Sequence, residues 1–305
     1  MRVYPPEPHM SLPLSVNLVM RRVILGAAVS LGMMVLAAGL ARAEPALWKV
    51  TNGTATAYLF GSVHQLKHDA VWDTPKVEAA LGQSQELWLE ITEVDGGGAT
   101  QPLVQQLGTD PSHPLSARLD DIYRARLTHA LSALGAPPNA FDALRPWLAA
   151  VSLTVAPLQK AGYDPNAGVD RLLKQAAVKR GIAVIGFETL EEQLRYLSDM
   201  SPTEEMDMLQ ETLDDFDTAL DGLDKLEGAW ERGDDQTIAI LMRKDMSEPL
   251  YQRLIAQRNK RFATRLAQRM QKPGVVFVAV GAGHLAGPDS VQAMLAQLGL
   301  HAQRQ

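Results

Sequence analysis

Four short apolar runs fix the class of fold open to this chain: "AYLF" at 57–60, "ELWLEI" at 86–91, "IAVIGF" at 182–187 and "VVFVAV" at 275–280. A strand with one wet face alternates apolar and polar residues. These runs are nearly continuous in apolar character, which suits strands covered on both faces, hence parallel pairing with helical crossovers. The stretches between them supply the helices. "DTPKVEAALGQS" at 73–84 opens on Asp-Thr, carries Pro75 in its first turn and has Gly82 close to its end. Residues 164–181 run from an Asp-Pro turn to Gly181 as a stop, and 201–216 open on Ser-Pro followed by acidic residues that suit the helix dipole. Residues 247–270 read as one long amphipathic helix with basic residues towards its end. The sequence therefore reads as α/β, a central largely parallel sheet flanked by many helices. No linker or short-period repeat divides 44–305, which reads as a single domain. The polar, glycine-rich stretch 92–103 reads as a flexible loop after the second strand, more a solvated connector than a lid.

Residues 1–43 read as a signal peptide. Arg21 and Arg22 precede the apolar run 23–40, and Ala41 and Ala43 give the small residues of an A-x-A cleavage site. Met20 is an alternative start. The run is just long enough to span a bilayer if left uncleaved, and the paired arginines raise twin-arginine export as a minor alternative. The mature chain is expected to begin near Glu44, to be periplasmic or secreted, and to have no stable membrane insertion once the leader is cleaved. A formal charge of -6 gives no footprint for nucleic acid, and the absence of cysteine excludes disulfides, thiolate zinc sites and cysteine catalysis.

Polar residues then fall at the ends of the strands. The first and fourth are each followed by G-x-x-H, as Gly61 to His64 and Gly281 to His284; the second ends on Glu90, and the third is followed by Glu188. Open parallel sheets bind ligands beyond the carboxyl ends of their strands, so these four side chains are expected to converge. Two imidazoles and two carboxylates are suitable donors for a divalent cation. Gly61, Gly281 and Gly283 are expected to permit tight turns, positive φ included, and to keep bulk away from the site.

Each residue also has a plainer reading. The histidines could bond to backbone, Glu90 could be a salt-bridge partner, and Glu188 an acid at a helix start. Arg145 either anchors a site carboxylate or simply precedes the helix that Pro146 starts. Arg258 and Asn259 read first as a solvated helix face, with oxyanion stabilisation by the arginine as the second possibility. Asp170 could support a ligating histidine or be a first-turn acid. His68 lies close to His64 but is not expected to join it; His9 belongs to the leader, and His113, His129 and His301 read as surface residues. Gly281, Gly283 and Gly287 have the wrong spacing for a dinucleotide loop, and no nucleophile elbow, H-E-x-x-H or Walker loop occurs.

Taken together, "LWKV", "AYLFGSVHQLK", "LWLEI", "LRPWLAA", "GVDRLLKQAAVKRGIAVIGFETLEEQL", "RNKRFATRL" and "VVFVAVGAGHLAGPDSVQAMLAQLGL" resemble the TraB/PrgY/GumN family, which includes the Tiki metalloproteases. The resemblance runs from about Leu47 to Leu300 and is strongest to the bacterial GumN-like branch. It implies an α/β fold with a metal-dependent hydrolytic site, manganese or cobalt being the metal described for the Tiki members. His64 and His284 match the motif histidines and Glu90 the acidic partner; Glu188, Arg145 and the pair Arg258-Asn259 also match family positions. The resulting expectation is an exported, peptidase-like hydrolase of peptide or other acyl substrates. His64, His284 and Glu90 would hold a divalent metal (Mn, Co or Zn), and Glu90, Glu188, Arg145 and Arg258 would serve catalysis. The rival is a non-catalytic periplasmic accessory protein that binds peptide, polysaccharide or haem.

Overall fold

The computed structural model describes residues 44–67, 70–94, 100–244 and 246–305. The leader, His68 and the centre of the glycine-rich loop lie outside the described residues. Six strands form one sheet: β1 (Leu47–Asn52), β2 (Ala55–Ser62), β3 (Glu86–Leu89), β4 (Ala183–Gly186), β5 (Gly274–Gly281) and β6 (Ala302–Arg304), in the order β4-β3-β5-β2-β1-β6. The four strands legible as apolar runs are its parallel part, β4-β3-β5-β2. Beyond them β1 and β6 pair antiparallel at one edge. Sequence reading missed those two because β1 mixes polar and apolar residues and β6 has only three.

Successive side chains of a strand point to opposite faces, and here both faces are dry. Phe60, Leu87, Leu89, Phe277 and Ala279 pack on one side with Leu81, Leu173 and Trp230 from the helices Pro75–Gly82, Val169–Lys179 and Ala219–Glu231. Leu59, Trp88, Val276, Val278 and Val280 pack on the other with Phe262, Leu266 and Leu295 from the helices Gln257–Arg269 and Val291–Gln297. A further core of Leu115, Leu127, Leu131, Leu153 and Leu209 joins helices that do not touch the sheet through it. No helix among the described residues is long and apolar enough to cross a membrane.

Two local expectations change. The helix Thr100–Gly108 begins inside the stretch read as loop, since Leu103, Val104 and Leu107 repeat on one partly buried face. The long helix after Ser247 is not uniform. It runs as Glu248–Tyr251, widens into a π turn over Gln252–Ala256, then continues as Gln257–Arg269. Such single π turns concentrate where a helix must re-aim side chains.

The exit of β2 is fastened to the start of the helix Val169–Lys179. Val169 N donates to Val63 O at 2.9 Å, and a Cβ on Gly168 would overlap the carbonyl oxygen of His64. Gly168 has φ -57°, which alanine adopts freely, so its role is steric. The Gly168→Ala variant is expected to lose roughly 1–3 kcal/mol of stability in urea denaturation, as overpacking against backbone does.

Candidate functional site

The parallel strands carry their four polar residues to one rim. Along the sheet order these are Glu188 after β4, Glu90 after β3, His284 after β5 and His64 after β2. Neighbouring strands are ~4.8 Å apart, so the row spans roughly 14 Å. Its first three members are buried at 7% exposure or less, whereas the His64 side chain is 70% exposed.

Glu188, Glu90 and His284 meet around Arg258. Its Nη2 donates to Glu90 Oε2 at 2.5 Å and to Glu188 Oε2 at 2.8 Å, its Nε reaches both Glu188 oxygens at 3.1 Å, and its Nη1 donates to His284 Nε2 at 3.2 Å. Leu254 O, in the π turn, accepts from the same Nη1 at 3.1 Å. The guanidinium also lies over Phe262 and Tyr196, at 5.3 and 5.4 Å from their ring centres. This overturns the solvated-face reading: Arg258 and Asn259 are 7% and 0% exposed. Their place could have been read from phase, since both share one helical face with Phe262, Ala263 and Leu266.

Asn259 fixes the tautomer of His284. Its Oδ1 lies 2.6 Å from Nδ1 while its Nδ2 donates to Asp289 O, so Nδ1 carries the proton and Nε2 keeps its lone pair. Burial lowers the His284 pKa to about 4, with Glu90 opposing and Arg258 assisting. The ring is therefore neutral at neutral pH. Glu90 is held from both sides: Gly281 N donates to Oε1 at 2.7 Å and Gln193 Nε2 to Oε2 at 2.9 Å. Burial would raise its pKa, but His284 when charged, Arg258, His64 and the Gly281 amide outweigh burial and hold the carboxyl well below the usual carboxylate range. With His284 neutral, Arg258, the charged His64 and the Gly281 amide are the influences that persist. Glu188 accepts from Arg258, from Tyr196 Oη at 2.9 Å and from Arg261 Nη2 at 2.7 Å, which saturates its oxygens.

His64 stands apart. Its Nδ1 is 2.8 Å from Asp170 Oδ2, and Asp170, buried in the first turn of Val169–Lys179, raises the imidazole pKa to about 9 against the opposing effect of desolvation. Below the ordinary imidazole value of 6.5 this pair contributes its full stabilisation, which disappears as pH rises through about 9. The ring is exposed, so the contribution is below about 1 kcal/mol. The Asp170→Asn variant is expected to move the His64 titration, followed by imidazole NMR, back towards 6.5 with little change in stability.

The remaining sequence candidates lie elsewhere. Arg145 caps the helix Pro146–Lys160, and its guanidinium donates to Leu107 O, Ser198 O and the Glu205 carboxylate rather than to Glu90 or Glu188. His113 pairs with Asp110 and His129 with Asp217 on the surface, and His301 is exposed. Gly61, Gly281 and Gly283 do not take positive φ, contrary to expectation. Gly281 acts by size: a Cβ there would stand 3.1 Å from Glu90 Oε1 and 3.6 Å from His284 Cδ2. Sequence reading missed Gln193, Tyr196 and Arg261, which reach the rim only through tertiary packing of the helices Leu190–Ser198 and Gln257–Arg269.

The donor set fits a divalent cation in part. His284 Nε2 faces Glu90 Oε1 at 3.5 Å, the separation of two donors each roughly 2.1 Å from one ion at about a tetrahedral angle. His284 engages Nδ1 with Asn259 Oδ1 and keeps its lone pair on Nε2, where a cation would displace the hydrogen bond from Arg258 Nη1. His64 engages Nδ1 with Asp170 and, with a pKa of about 9, gives up a proton before Nε2 can ligate. Among the described residues, however, no group of three or more His, Cys, Asp or Glu is placed to hold a metal ion. His64 is held by Asp170 of Val169–Lys179, whereas His284 packs against Phe262 of Gln257–Arg269.

The TraB/PrgY/gumN family model matches residues 46–304. The chain is similar to the uncharacterized protein YbaP of Shigella flexneri and of Escherichia coli (strain K12), each 28% identical over 251 residues that cover 82% of this chain and 92% of the relative. It is also similar to an uncharacterized protein of Treponema pallidum (strain Nichols), 22% identical over 265 residues, 81% of this chain and 79% of that one. No solved structure matches the chain.

Proposed function

Because the chain belongs to the TraB/PrgY/gumN family along essentially the whole of its described length, we propose that it is an exported metal-dependent hydrolase of peptide or related acyl bonds. The observation that carries the reading is the pair His284 Nε2 and Glu90 Oε1, a neutral imidazole and a fully ionised carboxylate, 3.5 Å apart and each fixed from behind. These two, with His64 as the third, are the residues that would hold the cation; manganese, cobalt and zinc all suit nitrogen and oxygen donors. Bound there, a divalent cation supplies Lewis acidity for a carbonyl oxygen and lowers the pKa of water.

The protein's own groups divide the remaining work. Glu90, with a depressed pKa, is a poor proton acceptor and a good permanent anion. Glu188 has no oxygen left to act as base and instead orients Arg258. The Arg258 guanidinium, desolvated and rigid, is placed to stabilise developing negative charge. His64, exposed and backed by Asp170, is the group able to move a proton at Nε2 when it is not occupied as a ligand. This arrangement favours Glu90 as ligand over Glu90 as base.

The test is metal content by elemental analysis after loading with manganese, cobalt or zinc, measured beside peptide hydrolysis. Wild type is expected to bind one ion, with binding lost in His284→Ala and Glu90→Gln and weakened in His64→Ala. Unchanged content in both histidine variants overturns the reading. One observation favours the binding-protein alternative: Arg258 already supplies positive charge between the two carboxylates. Ligand retention without turnover in metal-loaded protein would establish that alternative.

A further inference from the structure

A cavity of about 590 Å³ opens beside this network, between the helix Leu190–Ser198 and the helical segment that carries the π turn. Arg195 and Tyr196 line one wall; Arg253, Gln257 and Arg261 line the other. The last three recur every four residues along one helix face, so Arg253 and Arg261 stand roughly 12 Å apart. The inner end of the cavity is continuous with the rim, because Tyr196 and Arg261 both contact Glu188 Oε1 and Glu188 holds Arg258.

The guanidinium groups here are unequally engaged. Arg195 is bound by Glu191 and Asp199. Among the described residues Arg253 reaches Glu204 alone, at 3.5 Å, and Glu204 already accepts from Ser201 N in a capping box. Arg261 gives one N–H to Glu188, whose charge Arg258 shares, and its side chain is 52% exposed. Of the cavity's own carboxylates, Asp199 pairs with Arg195 and Glu192 accepts from Thr189 N. Two planar forks with unused donors therefore face a cavity in which Asp199 is paired and one oxygen of Glu192 is engaged. Such forks suit a carboxylate, which accepts two parallel hydrogen bonds.

The geometry points to a subsite in this cavity for a peptide carboxylate, an acidic side chain or the chain terminus, bound by Arg253 and Arg261 next to the Glu188 end of the rim. The peptide nature of the ligand rests on the hydrolase reading; the subsite itself rests on the cavity and its arginines.

Binding measured by calorimetry on metal-free protein in chelator separates this proposal from hydrolysis. The probes are N-acetyl-tetra-alanine amide, the same peptide with a free C-terminus, and N-acetyl-Ala-Ala-Glu-Ala amide. One carboxylate peptide is expected to bind roughly tenfold or more tightly than the neutral amide, and which one does so identifies the source of the carboxylate. The Arg253→Gln variant is expected to abolish that preference while leaving the affinity for the neutral peptide unchanged. Raised salt should reduce the preference in wild type. Equal affinity for all three peptides, absence of binding by either carboxylate peptide, or full preference retained in Arg253→Gln each overturns the proposal. Loss of metal binding in the histidine variants is measured separately and leaves this outcome unaffected.

Discussion

Replacing Arg258 by methionine is expected to remove about 3–5 kcal/mol of unfolding free energy at neutral pH, the cost of leaving a buried ion network without one partner. The side chain is 9% exposed and stands between Glu90 and Glu188, themselves 8% and 3% exposed. Methionine preserves much of the volume, so the loss is electrostatic rather than a cavity. Two carboxylates would then face each other with Gly281 N, Gln193, Tyr196 and Arg261 as the remaining donors. The Glu90 carboxyl in the variant keeps the burial that raises its pKa and loses the Arg258 charge that lowers it, so its pKa is expected to rise. A group whose folded pKa is raised gives its full contribution below the unfolded pKa and loses it as pH increases. The deficit of the variant should therefore be greatest above the carboxylate range and narrow on acidification. Arg258→Lys is expected to fall between the two, because one ammonium cannot reach Glu90, Glu188 and His284 together. Urea midpoints at pH 7 and pH 5 check both points, and an Arg258→Met protein as stable as wild type at pH 7 would show that the network contributes nothing to the fold.

What the sequence exposes and what it conceals follow from locality. The strands 57–60, 86–91, 182–187 and 275–280 are visible because an apolar run buried on both faces is a local property. The placing of His64, Glu90, Glu188 and His284 on one rim follows as soon as those strands are taken to be parallel. Strand order is not local: nothing near Glu90 announces that β3 lies between β4 and β5, which is why Glu90, rather than His64, is the neighbour of both Glu188 and His284. The direction in which each histidine turns is also set at a distance, by Asp170 for one and Asn259 for the other. Arg258 was legible through its phase with Phe262 and Leu266, but a run of charges on an amphipathic helix more often faces water. Gln193, Tyr196 and Arg261 carried no such trace.

His284 gives the second large effect, at acid pH. Its pKa is depressed from 6.5 to about 4 by burial, against the attraction of Glu90 and Glu188 and with the repulsion of Arg258 and His64. A base with a depressed folded pKa contributes stability that is present above its unfolded value and lost as pH falls through the folded one. The loss therefore develops between pH 6.5 and about 4, where the unfolded chain takes up a proton that the folded site resists. At 1.36 kcal/mol per unit the shift corresponds to about 3 kcal/mol. The physical event is an imidazolium forming 3.2 Å from the Arg258 guanidinium, with Asn259 Oδ1 already accepting at Nδ1 and Glu90, with Glu188 beyond it, to compensate. Because many carboxylates titrate in the same window, the informative quantity is the difference from a variant that cannot titrate at this position. His284→Gln is expected to be less stable than wild type at pH 7 and to lose less on going to pH 4, so that the two urea midpoints converge. Parallel midpoints across that range would mean that the folded ring takes up its proton as readily as the unfolded chain does, and Nε2 would then lose its lone pair below pH 6.5.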